Sequence, residues 1–219
     1  MNKSSGGSVN SSVSYAYDAF DRMILRDEIH APFFTDNPRY YVYDGNQIAL
    51  ELDSGGGVAH RLLWGPAVDQ AIADDNPNSD VFWYLNDQQN TVRDIAEFFG
   101  TNDTEVTTHN TYNSFGKLTG GGSSDAFNLT YAGHFNDTLT SLQWNLERWY
   151  DPGVGSWTTE DPIGFAGDAS NVYRYVGNSP TNYTDPSGLI GAAGPGPKNY
   201  PYGPPPGWKP PPGFDPARA

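Results

Sequence analysis

Apolar residues in this chain recur at period two, in short runs, and each run closes on a polar or glycine-rich turn. VSYAYDAFDRMIL (13–25) places Val13, Tyr15 and Tyr17 on one face, then a turn over Asp18–Asp21, then a second apolar group. RYYVYDGNQIALELD (39–53) runs aromatic and β-branched residues into Asp44-Gly45-Asn46, a hairpin signal, after which Ile48, Leu50 and Leu52 alternate with Ala49 and Glu51. SGGG (54–57) forms the next turn and VAHRLLWG (58–65) the return strand. VFWYLNDQQNTVRDI (81–95) repeats the design around a polar turn over Asn86–Asn90, and THNTYNSFGKLTG (108–120) gives another short strand and turn. GGGSS (120–124) reads as a flexible break, and 127–162 holds three or more short strands. No long segment keeps a helical period; Val68–Ala73 and Thr91–Phe99 each suit at most a turn or two of helix, and Asp74 and Asp75 read as a solvated loop. The fold class is therefore all-β, built from antiparallel hairpins.

The hairpins share a theme. YAYDAFDR, YYVYDGNQ and TYNSFGKL each run aromatic, Asp or Asn, two residues, turn residue, return strand. Four segments follow: a disordered 1–12, degenerate repeats over 13–126, a distinct block over 127–189, and a tail over 190–219. The 30-residue tail holds ten prolines and six glycines, too many to pack a core or join a central sheet. Its GPPPGW and KPPPGF units favour polyproline II with Trp208 and Phe214 exposed: a flexible tail, or a ligand for an aromatic-lined groove.

Composition narrows the chemistry. Aromatics make up 14% of 219 residues and supply the area for a real core. A formal charge of −14 repels phosphate backbones and anionic membrane surfaces, so neither nucleic acid nor membrane insertion is expected. The chain has no cysteine, which excludes disulfides, zinc–thiolate sites and thiol nucleophiles. No apolar run nears the roughly 18 residues of a membrane span, and no secretory signal is visible at the N-terminus. His30, His60, His109 and His134 lack metal-ligand spacing, and the glycine runs at 55–57 and 120–122 lack the lysine of a phosphate loop, so no metal and no cofactor is expected.

The block ERWYDPGVGSWTTEDPIGFAGDASNVYRYVGNSPTNYTDPSGL (147–189) resembles the C-terminal core of the bacterial RHS (rearrangement hotspot), or YD-repeat, family. The resemblance rests on Arg148-Trp149-Tyr150-Asp151-Pro152, then Gly155 and Trp157, then Asp161-Pro162-Ile163-Gly164. It continues through Asn171, Tyr173, Tyr175, Asn178 and Pro180 to Asp185-Pro186-Ser187-Gly188-Leu189. It covers 13–189, strongly after 127, and Asp21 stands where an upstream repeat would carry its turn glycine. It implies hairpins spiralling into part of a hollow β-shell that encloses a toxic C-terminal domain, with the core block closing one end. The expected partners are the remaining shell or a toxin polypeptide, and the expected location is secreted or at the cell surface. In many members the core also cuts the chain just after its second Asp-Pro-x-Gly-Leu unit, through an aspartyl-protease-like pair. Carried over, that nominates Asp161 and Asp185 as the pair and Leu189–Ile190 as the scissile bond. Pro162, Gly164, Pro186, Gly188 and Arg148 support the motif. The spacer 165–184 has 20 residues where the family commonly has 18; the extra residues are expected around Gly167–Ser170, where they would displace Asp161 relative to Asp185. The tail is no toxin, and the repeats are too few to enclose a folded guest, so a fragment of a larger shell is expected.

Two close carboxylates that share a proton can activate a water and polarise a carbonyl, and an intramolecular target is positioned by folding itself. Asp-Pro-x-Gly is equally a good β-turn without chemistry, and Asp151-Pro152-Gly153 is a third such turn with no proposed role. Three functions therefore stand: a self-cleaving shell segment, a non-enzymatic structural or surface module, and a carbohydrate-binding β domain. A shell segment without its neighbours should also self-associate through open sheet edges.

Overall fold

The computed structural model describes residues 2–5, 8–30, 35–77, 81–99, 103–122, 125–168, 170–189 and 192–193. Strands dominate, and no α-helix occurs among these residues. Ten strands form one sheet in sequence order, each antiparallel to the next: β1 (Asn2–Ser5), β2 (Ser8–Tyr17), β3 (Met23–His30), β4 (Thr35–Asp44), β5 (Gln47–Leu52), β6 (Val58–Trp64), β7 (Ala71–Asp75), β8 (Val81–Asn86), β9 (Val92–Phe98) and β10 (Thr104–His109). A two-stranded hairpin follows, β11 (Thr111–Tyr112) with β12 (Leu118–Gly120). The C-terminal block adds a four-stranded meander, β13 (Phe135–Asn136), β14 (Gln143–Asn145), β15 (Arg148–Asp151) and β16 (Ser156–Trp157). A last pair joins β17 (Tyr183–Thr184) to β18 (Ala192–Ala193).

One turn recurs. Asp18 Oδ1 accepts from the N–H groups of Phe20 and Arg22 (2.8 and 3.1 Å), Asp53 Oδ1 from Gly55 and Gly57 (both 2.8 Å), Asp87 Oδ1 from Gln89 and Thr91 (2.9 and 3.1 Å), and Asn113 Oδ1 from Phe115 and Lys117 (2.9 and 3.0 Å). In each turn the residue three places on is left-handed: Asp21, Gly56, Asn90 and Gly116. The carboxylate or amide thus stands in for missing ladder bonds, which is why an acidic or amide residue ends strand after strand. The turn after Asp44 is shorter and rests on Gly45 alone (φ +62°).

Several expectations are corrected here. Val68–Ala73 and Thr91–Phe99 form no helix; β7 and β9 run through them, because their apolar residues meet sheet neighbours on both sides. Asp74 is not in a solvated loop: it is fully buried on β7, where its Oδ2 accepts from Phe127 N–H and pairs with His60 Nδ1 (both 2.7 Å). The polar stretch expected to be disordered carries β1 and the start of β2, since ladder bonds are made by the backbone and need no apolar side chain. Ser123 and Ser124 of the expected break lie outside the described residues, as does the tail beyond Leu189 except for β18.

One face of the large sheet is covered by the C-terminal block. Met23, Tyr41, Ile48, Phe82, Tyr84 and Ile95 pack against Phe127, Leu129, Phe135 and Trp144 in a single cluster. A second cluster joins Tyr131, Tyr150, Trp157, Tyr175 and Val176, with Tyr150 stacked on Tyr175 at 4.1 Å between ring centroids. The opposite sheet face carries a cross-strand row, Leu63–Ala73–Trp83–Ala96–Val106, in which Leu63, Trp83 and Val106 stay exposed.

Candidate functional site

Both Asp-Pro-x-Gly units are turns, and both turns use their aspartate locally. Asp161 Oδ1 accepts from Ile163 N–H (2.9 Å), and Gly164 N–H closes the turn onto the Asp161 carbonyl (2.8 Å). Asp185 Oδ1 accepts from Gly188 N–H (2.9 Å), Leu189 N–H (3.2 Å) and Ser187 Oγ (3.3 Å). Proline at the second position pre-sets the bend in each. One oxygen of each carboxylate is thereby committed to its own backbone, and the other, Oδ2, is left to point away from the turn.

The two Oδ2 atoms converge on one cation. Arg148, at the start of β15, places Nη2 2.8 Å from Asp161 Oδ2 and 3.8 Å from Asp185 Oδ2. The rest of the guanidinium is pinned. Nη1 donates to the Val172 carbonyl (3.1 Å), Nε donates to the Gly188 carbonyl, and the group lies over the Trp157 ring at 4.1 Å. Gly188 is left-handed (φ +76°), and a side chain there would stand 2.6 Å from the Asn145 carbonyl oxygen, so only glycine lets the second turn sit against the β14–β15 hairpin. Asn145 Nδ2 donates to the Asp185 carbonyl (2.8 Å), and Glu147 N–H to the Ser187 carbonyl (3.1 Å). The first turn is tied back by Asp161 N–H, which donates to the Val172 carbonyl (3.1 Å).

All three charged groups are out of water: Arg148 is 3% exposed, Asp161 8% and Asp185 2%. Burial pushes the Asp185 carboxyl up to about 6, opposed by Arg148 and reinforced by Asp161. Burial also raises Asp161, again opposed by Arg148. Burial lowers Arg148, while both carboxylates pull the other way. The closer carboxylate is thus the readier to ionise and the farther one keeps a proton into mildly acidic solution, so the pair titrates as a unit.

The structure brings together Asp161, Asp185, Arg148, Gly188 and Leu189, residues spread over 42 positions of sequence. The longer spacer does not separate the pair. Leu189 is buried beside the second turn, and Ile190 lies outside the described residues. Asp151 makes only the turn contacts, Gly153 N–H and Val154 N–H to its Oδ1 (2.7 and 3.3 Å). Sequence reasoning named Arg148 as motif support but not as the bridge, and missed Asn145 and Trp157 as its frame; the signal for Arg148 was its fixed place before Trp149-Tyr150-Asp151-Pro152. His60, His109 and His134 each sit beside an aspartate (Asp74, Asp94 and Asp69), and no group of three metal-binding side chains occurs among the described residues.

Residues 5–181 match the family model described as Teneurin YD-shell. Over 69 residues the chain is 46% identical to the double-stranded DNA deaminase toxin A of Burkholderia cenocepacia, covering 32% of this chain and 5% of that protein. Over 65 residues it is 46% identical to the probable deoxyribonuclease RhsB of Dickeya dadantii, covering 30% of this chain and 4% of that one. Among solved structures it is similar to the crystal structure of TcdB2-TccC3, with a TM-score of 0.64 and 20% identity over 85% of this chain and 10% of that one. The chain therefore spans a small part of the proteins it matches.

Proposed function

The chain belongs to the Teneurin YD-shell family of RHS/YD-repeat proteins, and from that premise we propose that it is a wall-and-closure segment of a toxin-delivery shell that cuts its own backbone after Leu189. The observation that carries the proposal is the convergence of Asp161 Oδ2 and Asp185 Oδ2 on Arg148 Nη2 beside the buried Leu189. Arg148 at 2.8 Å favours the ionised form of Asp161, and burial favours the protonated form of Asp185. A water oriented by Asp161 gives up a proton to it and bonds to the Leu189 carbonyl carbon. Asp185 supplies the proton that the departing Ile190 nitrogen needs. The C–N bond breaks, Leu189 is left as a C-terminal carboxylic acid that passes its proton to the freed Ile190 amine, and the pair ends with one proton as it began. The relatives' printed names include toxins, which supports a toxin polypeptide as partner; further shell strands would join the open edges of β1 and β10, where copies of the chain would also associate.

Intact mass of freshly refolded protein tests the reading, alongside Asp161→Asn and Asp185→Asn. Wild type is expected to yield a product ending at Leu189, and both variants to stay full length. The cleavage rate is expected to fall as pH rises through about 6, when Asp185 loses its proton. A wild type that stays whole across pH 4.5–8 would leave both aspartates as turn residues and make the segment a structural module.

A further inference from the structure

Gly167, at the start of the stretch that lengthens the spacer, lies over the site. Gly164–Ala166 makes one 3-10 turn, and Gly167 continues it in ordinary right-handed geometry, with φ −76° and ψ −45°. Asp168 is held in place by charge and hydrogen bonds. Asp168 forms a two-point pair with Arg174 (Oδ2 to Nε 2.5 Å, Oδ1 to Nη2 2.7 Å) and accepts from Ser170 N–H and Oγ (2.9 and 3.0 Å). Burial works against the Asp168 anion, but the Arg174 and Ser170 donors win and hold its carboxyl down at about 2, so the anchor is ionised at every pH of interest. Arg174 in turn pairs through its backbone with Ser156 on β16.

This anchor presses Gly167 against the site. A methyl group on its α-carbon would collide with Asp161 Oδ2 and would stand 3.1 Å from Asp161 Cγ and 2.9 Å from the Leu189 carbonyl oxygen. The backbone there suits any residue, so conformation does not call for glycine. What excludes a side chain is the presence of two oxygens at one point: one belongs to the aspartate paired with Arg148, the other to the carbonyl of the bond that the proposed cleavage breaks. Glycine thus lets the carboxylate and the carbonyl lie against the same backbone atom.

We propose that Gly167 is a positioning residue, whose bare α-carbon lets the Asp161 carboxylate and the Leu189 carbonyl lie close enough together for the proposed cleavage. The inference rests on the self-cleavage reading above. The spacer is then part of the reacting geometry and not a neutral insertion, because Asp168–Arg174 fixes the depth to which Gly167 reaches. A side chain at 167 drives Asp161 Oδ2 off Arg148 Nη2 and off the carbonyl together, and near-attack placement is lost with a displacement of about 1 Å. The charged groups that face Asp161 are Arg148 from β15, Asp185 from the second turn and Asp168 from the spacer itself. Movement away from Arg148 removes its cationic partner, so the Asp161 ionisation moves to higher pH.

The test is the rate of appearance of the product ending at Leu189 after refolding, measured from pH 4.5 to 8, for wild type and Gly167→Ala. The proposal expects Gly167→Ala to cleave at least tenfold more slowly, with the rising acid limb of its pH profile shifted to higher pH. A loss of folded protein alone would lower the amplitude and leave the profile of the remaining folded fraction where wild type has it; that result overturns the positioning role. Equal rates and profiles in a wild type that cleaves overturn it too, and leave the self-cleavage reading standing. A wild type that never cleaves removes the reading underneath and this inference with it.

Discussion

Arg148 is the residue on which the C-terminal block closes. One guanidinium joins both Asp-Pro-x-Gly turns, the Val172 carbonyl, the Gly188 carbonyl and the Trp157 ring. Removing it would leave two carboxylates buried without a counter-charge, a change that costs about 3–5 kcal/mol at neutral pH. Arg148→Met keeps the bulk over Trp157 and should show that deficit in urea denaturation. Its size should depend on pH with a definite sign. Asp185 already titrates at about 6 when folded, above the roughly 4 of an unfolded aspartate, so its contribution is fully present below pH 4 and is lost as pH rises through 6. Without Arg148 both carboxyls rise further, so the deficit of the variant should be larger at pH 7.5 than at 4.5. An equal deficit at both would mean that Arg148 acts by packing alone. Arg148→Lys is no substitute, because an ammonium cannot serve the Val172 carbonyl, the Gly188 carbonyl and Asp161 from fixed directions.

At the scale of the element, the recurring unit is a strand that ends in Asp or Asn, followed by a left-handed residue three places on. Three of these positions are Gly56, Asn90 and Gly116, residues that adopt the left-handed region readily. Asp21 is the fourth, at φ +58°, and its charge also helps burial to raise the Glu147 carboxyl. Asp21→Gly should therefore stabilise the protein by about 0.5–1 kcal/mol, read as a higher urea midpoint with an unchanged slope. A lower midpoint would show that Asp21 holds a contact worth more than its backbone strain. The turns were legible from residue types because each is made by a side chain reaching two to four residues along its own chain. Two of them, after Asp53 and Asp87, follow the same geometry, although only the second was read in the sequence as repeating the design. The strand over 71–75 was not legible, and the one over 92–98 only in its first half as a hairpin return, since an apolar run beside charged residues fits a helix turn and a buried strand alike until its neighbours are known.

At the scale of the whole molecule, the described residues form a broad sheet with one face covered by its own C-terminal block and two edges, β1 and β10, that pair on one side only. Edges of this kind recruit further strands. Val106 lies on β10, at one end of the exposed apolar row that includes Trp83 and Leu63, and is 57% exposed. Sedimentation velocity should show self-association of the isolated chain that grows with concentration, and Val106→Lys should weaken it with little change in the urea midpoint. A wild type that stays monomeric up to about 100 μM, a concentration where aggregation-prone edges normally associate, would argue that both edges are protected.

The sequence by itself determined the fold class and most of the turns, which follow from backbone preference and from hydrogen bonds that close within a few residues; its motif resemblance gave the family and nominated the two aspartates. Only the tertiary structure decided that Asp74 is buried, that Arg148 bridges Asp161 and Asp185, that the longer spacer keeps the pair together, and that Gly167 abuts both an aspartate and the Leu189 carbonyl. Each of these depends on atoms brought together from distant parts of the chain in a medium without water. There, burial and the distance to one guanidinium set the charge of a carboxylate.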